Sequence, residues 1–324
     1  MDIQHLVFND AGRLRSVWRL AVFAVLTLVV TYVLFVVTDF AFLLALPRPT
    51  SKWFLVKSNW GFVVQSVILF SPAALFGWLC GLVFEGLPWR ALGWALHRRW
   101  MRDTLLGLSV GAVSLGVAAG AGALFGGYSF SLPQQFDAPA TARTLFASCF
   151  IFMIGAAAEE VMFRGYALQT LMRSWPLAVA LVPVSVPFAL GHLENPNVVP
   201  GFTFANTVLA GAWLAVAYWR TRSLWFPFGV HWGWNFFQGA VFGSPVSGIT
   251  KITPAPLLRF TDGGPAWIGG GPYGIEGGAA CTLALILSTL FIWLVPVARA
   301  TPEMKRFTDG ENPRAALERS RVEA

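Results

Sequence analysis

The chain has 324 residues, of which 56% are hydrophobic and only 12% charged, with a formal net charge of +7. Soluble domains carry about 25% charged residues, so a water-soluble globular protein is excluded, and the apolar residues fall in runs long enough to cross a bilayer. Cys80, Cys149 and Cys281 stand far apart within those runs, which excludes a CxxC or Cys/His zinc spacing and a disulfide framework.

In chain order the apolar runs predict spans over 18–46, 59–84, 104–127, 143–172, 176–192, 201–220, 224–243 and 277–299. The expected fold is all-α, a polytopic transmembrane helical bundle of about eight spans. Arg13, Arg15 and Arg19 lead into the first run, which is too long for a signal peptide and reads as a retained helix. Residues 87–102 mix Trp and Arg and predict an amphipathic piece on the membrane surface. Gly107/Gly111, Gly116/Gly120 and Gly122/Gly126 are small-xxx-small pairs that allow close helix contact. Residues 244–276 are rich in Gly, Pro and Thr and read as a connecting loop. Gly269-Gly270-Gly271-Pro272 is no phosphate loop, since no helix with Lys-Ser/Thr follows. The tail after Arg299 is charged and predicts a loosely ordered cytoplasmic segment.

The cations set an orientation. Arg13, Arg15, Arg19, Arg90, Arg98, Arg99, Arg102, Arg173, Arg220, Arg222 and the tail outweigh Arg48, Lys52, Lys57, Arg143, Lys251 and Arg259. The positive-inside rule then puts both termini in the cytoplasm, with a bacterial inner membrane as the expected setting. The basic excess is accounted for by topology, so no nucleic acid is expected as a partner.

Glu159, Glu160 and Arg164 interrupt the apolar run from Leu145 to Leu171. Ionisable groups at bilayer depth are costly and point to function. Glu160 and Arg164 are four apart and share a helix face, so they read as an internal ion pair that orients the helix. Glu159 points about 100° away and needs a partner from another helix. Of the four histidines, His5 and His97 lie in polar segments, whereas His192 and His231 lie at or within apolar runs. With a turn near Trp175-Pro176, Glu159 and His192 are each about 16 residues from it, or roughly 24 Å along a helix, and so reach the same height. Phe188 precedes His192 by one turn and packs beside it. His231 and Asn235 share one face and aim two hydrogen-bonding side chains at one point, as oxyanion stabilisation requires. One mismatch remains: His231 lies only about 15 Å from its own turn, leaving about 10 Å to be closed by a helix break or shift, with Pro183, Pro187 and Pro227 as candidates.

Glu159-Glu160-x-x-x-Arg164, Phe188-x-x-x-His192 and His231-x-x-x-Asn235 together resemble the three ordered motifs of the CPBP family, which comprises CAAX prenyl endopeptidases and the Abi bacteriocin-processing and immunity proteins. The resemblance covers roughly 143–240. It implies intramembrane proteolysis: Glu159 and His192 activate a water, His231 and Asn235 stabilise the oxyanion, and Glu160, Arg164 and Phe188 support them. The implied substrate is a peptide or protein, lipid-modified proteins among them, met at the bilayer. The chain then divides into membrane helices with their amphipathic loop (1–142), a catalytic core (143–243), and a loop, last helix and tail (244–324). No cofactor is required in this reading. A second reading places a catalytic zinc on Glu159, His192 and His231, a His2Glu set. A third makes the chain a non-catalytic immunity or scaffold protein. A transporter is a fourth, with no inverted repeat or pair of broken helices to support it.

Overall fold

The computed structural model describes residues 3–10, 12–45, 58–198 and 201–308. The tail beyond residue 308, and the cations Arg48, Lys52 and Lys57, lie outside the described residues. All eight expected runs are helical: α1 (Ser16–Ala45), α2 (Asn59–Glu85), α3 (Trp100–Phe125), α4 (Ala138–Phe163) continued by α5 (Tyr166–Met172), α6 (Leu177–Leu190), α7 (Phe202–Thr221), α8 (Trp225–Phe236) and α9 (Ala279–Leu294). A short helix α10 (Pro302–Thr308) follows. Among the described residues five helical segments are long and apolar enough to cross a membrane, the α4–α5 segment counted as one. The fold is an all-α polytopic helical bundle.

Local chemistry fixes the ends. Ser58 caps α2 by accepting from the Gly61 amide at 2.8 Å, and Gly86 closes the helix in the left-handed region at φ 65°. Asp137 caps α4 by accepting from the Ala140 amide at 3.0 Å. α4 stops at Gly165, where a Cβ would meet the Val161 carbonyl oxygen at 2.3 Å. α6 has only 14 residues and contains Pro183 and Pro187. At 1.5 Å per residue it spans roughly 21 Å, short of a hydrocarbon core about 30 Å thick.

The tightest contact is between α3 and α8, and glycines make it. Cβ atoms at Gly107 and Gly111 would meet the carbonyl oxygens of Phe226 at 2.3 Å and Val230 at 2.1 Å; at Gly229 and Gly233 they would meet those of Thr104 at 2.2 Å and Leu108 at 2.3 Å. The two backbones therefore touch. Gly107/Gly111 behave as the small-residue spacing suggested, whereas Gly116 and Gly120 have nothing within 4 Å.

Two segments depart from expectation. Residues 87–97 are two-faced but pack deeper than a piece resting on the surface: Leu87, Ala91, Leu92, Ala95 and His97 are buried, whereas Trp89, Arg90 and Leu96 are exposed. Backbone polar groups take them in, since the Leu224 amide donates to Gly93 O at 3.0 Å and the Trp225 indole to Ala95 O at 2.9 Å. The start of the expected loose tail is instead the docked helix α10, with Met304 and Phe307 buried against residues 87–95.

The bundle has two distinct ends. At one, Glu85 accepts from Arg19 at 2.7 Å and from Arg173, and Arg173 also donates to Phe307 O at 3.2 Å. Arg90 pairs with Glu303 there, and Ser223 bonds His97 and Gly93 O. At the other end, β1 (Tyr128–Ser131) and β2 (Arg259–Asp262) pair antiparallel, Tyr128 opposite Asp262 and Ser131 opposite Arg259. The 244–278 segment is more than a connector. It folds back over the bundle, held by the Tyr128 hydroxyl on Gly269 O at 2.6 Å and the Asn206 amide on Gly278 O at 2.9 Å.

Candidate functional site

α4 supplies Glu159, Glu160 and, as the first residue past its end, Arg164. Glu160 and Arg164 are fully buried and pair at 3.1 Å. The second guanidinium nitrogen donates to Gly211 O at 3.1 Å, and the guanidinium lies 4.6 Å from the Phe188 ring centroid. The pair offsets part of the cost of burying both charges, although Arg164 Nε and Glu160 Oε2 make no hydrogen bond. The pairing expected from spacing is present, and it extends further than spacing reveals. Nδ1 of His231 lies 2.9 Å from the same Glu160 oxygen, and Nε2 of His231 lies 3.7 Å from Oε2 of Glu159. His231 thus stands between the two adjacent carboxylates. Glu160 both holds Arg164 and orients the imidazole.

The α3–α8 glycine contact explains how His231 reaches this depth. The Ser223–Leu224 turn is packed against the buried 87–97 segment, so α8 starts inside the bundle rather than at its edge. α8 itself runs from Trp225 to Phe236 without a break at Pro227.

His192 is not on a helix. α6 ends at Leu190, and His192 sits in the following turn, its amide donating to Ala189 O at 3.1 Å. Nδ1 lies 2.8 Å from Phe188 O. A carbonyl only accepts, so Nδ1 carries the proton and Nε2 is left as an acceptor toward the cavity. Phe188 lies between the two histidines, tilted against His192 at 4.7 Å and edge-on to His231 at 6.3 Å between centroids.

Glu159, Phe188, His192, His231 and Asn235 line one cavity of about 190 Å3. All the expected site residues are thereby gathered, Glu160 and Arg164 directly behind its wall. One oxygen of Glu159 is buried with no hydrogen-bond partner, although the side chain is 27% exposed. A carboxylate so placed keeps an acceptor for an incoming proton. Phe62 and Phe152 form an apolar side of the cavity, and Asn195, Asn206 and Glu276 a polar one. Among the described residues no three His, Cys, Asp or Glu side chains are gathered closely enough to hold one metal ion.

Glu276 was not singled out by sequence reasoning. Its carboxylate accepts from the Trp234 indole at 3.2 Å and the Ser247 hydroxyl at 3.0 Å, tying the 244–278 segment to α8 beside His231. The signal was available: it is a lone acid in a glycine-rich stretch just ahead of an apolar helix. Asn195 and Asn206 gave no such signal, being isolated amides with no spacing to another motif.

A helical membrane bundle with adjacent carboxylates and two histidines around one half-enclosed cavity is a candidate site, since ionisable groups at that depth point to function. A family model described as type II CAAX prenyl endopeptidase Rce1-like matches residues 140–237, the stretch that holds Glu159, Glu160, Arg164, Phe188, His192, His231 and Asn235. Over that stretch, under a third of the chain, the protein is similar to the CAAX/CPBP intramembrane protease family. No curated protein and no solved structure matches it.

Proposed function

We propose that the cavity hydrolyses a peptide bond with a water activated by Glu159 and His192. The observation that carries this reading is that the Glu159 carboxylate, 27% exposed, lines the cavity shared with His192, His231 and Asn235, whereas Glu160 is fully buried behind it. Nε2 of His192, with its proton committed to the Phe188 side, accepts from the water and positions it. Glu159 takes a proton as the water oxygen attacks the scissile carbonyl, and later returns it to the leaving amine. His231, held by Glu160 through Nδ1–H and carrying a second proton on Nε2 as an imidazolium, donates from Nε2 to the oxyanion, and the Asn235 amide donates beside it. The Glu160–Arg164 pair stays fixed throughout as the support of His231. Residues 143–243 form the catalytic core, while 1–142 frame it and the 244–278 segment walls its polar side.

This chemistry needs no metal. Stoichiometric zinc in purified, active protein, lost together with activity on chelation, would replace it with the metal reading. The peptidase reading is tested by comparing new protein N-termini in membranes carrying the wild-type chain or Glu159→Gln at equal abundance. Termini present only with the wild type support it. The non-catalytic immunity or scaffold reading predicts identical termini, and a cellular phenotype that survives the substitution.

A further inference from the structure

We infer that Arg98, Arg99 and Arg102 form a docking surface for the head group of an anionic phospholipid, whose acyl chains lie along the apolar side chains beside them. None of residues 89–105 lines the cavity, so this surface is independent of the peptidase reading.

α3 has 26 residues and is long and apolar enough to cross a membrane. It spans roughly 39 Å against a hydrocarbon core about 30 Å thick, so its first turn lies at head-group level. Arg102 stands in that turn, Arg99 is the residue before the helix, and Arg98 precedes it; all three side chains are exposed. Among the described residues none of the three guanidinium groups has a hydrogen bond or an ion pair. Other arginines of the bundle are satisfied: Arg19 and Arg173 by Glu85, Arg164 by Glu160 and Arg90 by Glu303. The acid next in sequence, Asp103, is buried and faces His97 at 3.8 Å rather than the arginines. Nor do the three cations stabilise α3, since at the start of a helix they meet the like-signed end of its dipole. A phosphate placed among them offsets both that cost and their mutual repulsion.

The backbone that carries the arginines is held in place. The Trp100 amide donates to His97 O at 3.0 Å and the Arg99 amide to His97 Nδ1 at 3.2 Å, while the other ring nitrogen of His97 bonds Ser223 at 3.1 Å. The Trp100 ring lies 4.9 Å from that of Trp225. Only the arginine side chains have to order when a ligand arrives, and their planar forks match phosphate oxygens. Beside them Leu96, Met101 and Leu105 are 67%, 57% and 57% exposed. Met101 and Leu105 are four apart, so they share a face that runs from the arginines down α3 into the hydrocarbon. Three free guanidinium groups at head-group level, with an apolar stripe leading inward from them, match the two halves of an anionic phospholipid. A soluble acidic partner would use the charged half alone. Topology sets the sign of charge at a span end, but it calls for no preference among lipids, and on that point the two accounts part.

Native mass spectrometry of the full chain, mixed in detergent with equal amounts of phosphatidylglycerol and phosphatidylcholine, reads the retained lipid directly. The wild type should retain phosphatidylglycerol in preference. A basic side chain near an anionic lipid surface is worth about fivefold in affinity. The triple variant Arg98→Gln, Arg99→Gln and Arg102→Gln should therefore weaken phosphatidylglycerol by about a hundredfold and leave phosphatidylcholine unchanged, with the thermal midpoint in detergent kept. Arg102→Gln alone should weaken it about fivefold, whereas Arg143→Gln, at an exposed arginine outside the patch, should change nothing. A wild type with no preference, a preference that survives the triple variant, or equal falls in Arg102→Gln and Arg143→Gln would each overturn the assignment. So would loss of the bound lipid to inorganic phosphate at the same concentration, which would mark a site for soluble anions instead.

Discussion

At the residue scale, the site separates two carboxylates that are neighbours in sequence. Glu160 is fully buried and engaged by Arg164 and His231 through one oxygen, while Glu159 lines the cavity and makes no hydrogen bond through Oε2. Their substitutions should therefore fail differently. Glu159→Gln keeps size and polarity, leaves the Arg164 network intact, and should lower cleavage by about 10²–10⁴-fold, the usual contribution of a general base. Its thermal midpoint in detergent should match the wild type. Glu160→Gln leaves a buried guanidinium short of its counter-charge, which costs about 3–5 kcal/mol when one partner of a buried pair is removed. It should lose stability as well as activity, and equal thermal midpoints for the two variants would contradict the division of roles. Spacing made the Glu160–Arg164 pair and the isolation of Glu159 legible in the sequence. The double use of Glu160 was not, because the imidazole that claims it comes from 71 residues away in the chain.

At the scale of elements, the site depends on how closely α8 approaches α3. The Gly107/Gly111 face was readable as a packing surface, but its partner was not. Gly229 and Gly233 sit amid Trp225, Phe228, Trp232 and Trp234, and the aromatic residues dominate any pattern read there. Gly111→Ala places a methyl carbon 2.1 Å from the Val230 carbonyl oxygen, so α8 must move. Overpacking of this kind costs about 1–3 kcal/mol, and because His231 rides on α8 the variant should lose activity beyond its loss of stability. Gly116→Ala meets open space and should leave both unchanged. Thermal midpoints and cleavage rates of the pair check this. The end of α6 shows the opposite limit of sequence reading. Pro183 and Pro187 were visible, yet a helix that stops short of the membrane face and leaves His192 in a turn is decided by what packs around it. In the 87–97 segment the exposed Trp89 and Arg90 were legible as one face, but the hydrogen bonds that hold the other face into the bundle leave no mark in composition.

For the whole molecule, the all-α bundle and its spans followed directly from apolar runs, since length against bilayer thickness leaves few alternatives. The way its ends are sewn together did not. His97, unremarkable in sequence, is one of those stitches. The Arg99 amide donates to its Nδ1 at 3.2 Å, so Nε2 holds the proton and donates to the Ser223 hydroxyl at 3.1 Å. Burial pushes this imidazole below its ordinary range, with Glu303 opposing and Arg99 adding to the effect. The unfolded chain then takes up a proton that the folded one refuses. The stabilisation is complete above about pH 6.5 and is lost as pH falls from there toward the lowered folded value. The thermal midpoint should therefore drop on acidification, and His97→Asn should flatten that drop; equal slopes would remove His97 as the cause.

The central claim is that Glu159 performs peptide-bond hydrolysis inside the membrane domain. Quantitative mapping of protein N-termini in membranes that contain equal amounts of the wild-type chain or Glu159→Gln tests it most directly. The account predicts a discrete set of termini that appear with the wild type and vanish with the variant, while the variant inserts and melts normally. An unchanged set of termini with a fully folded Glu159→Gln protein would contradict it.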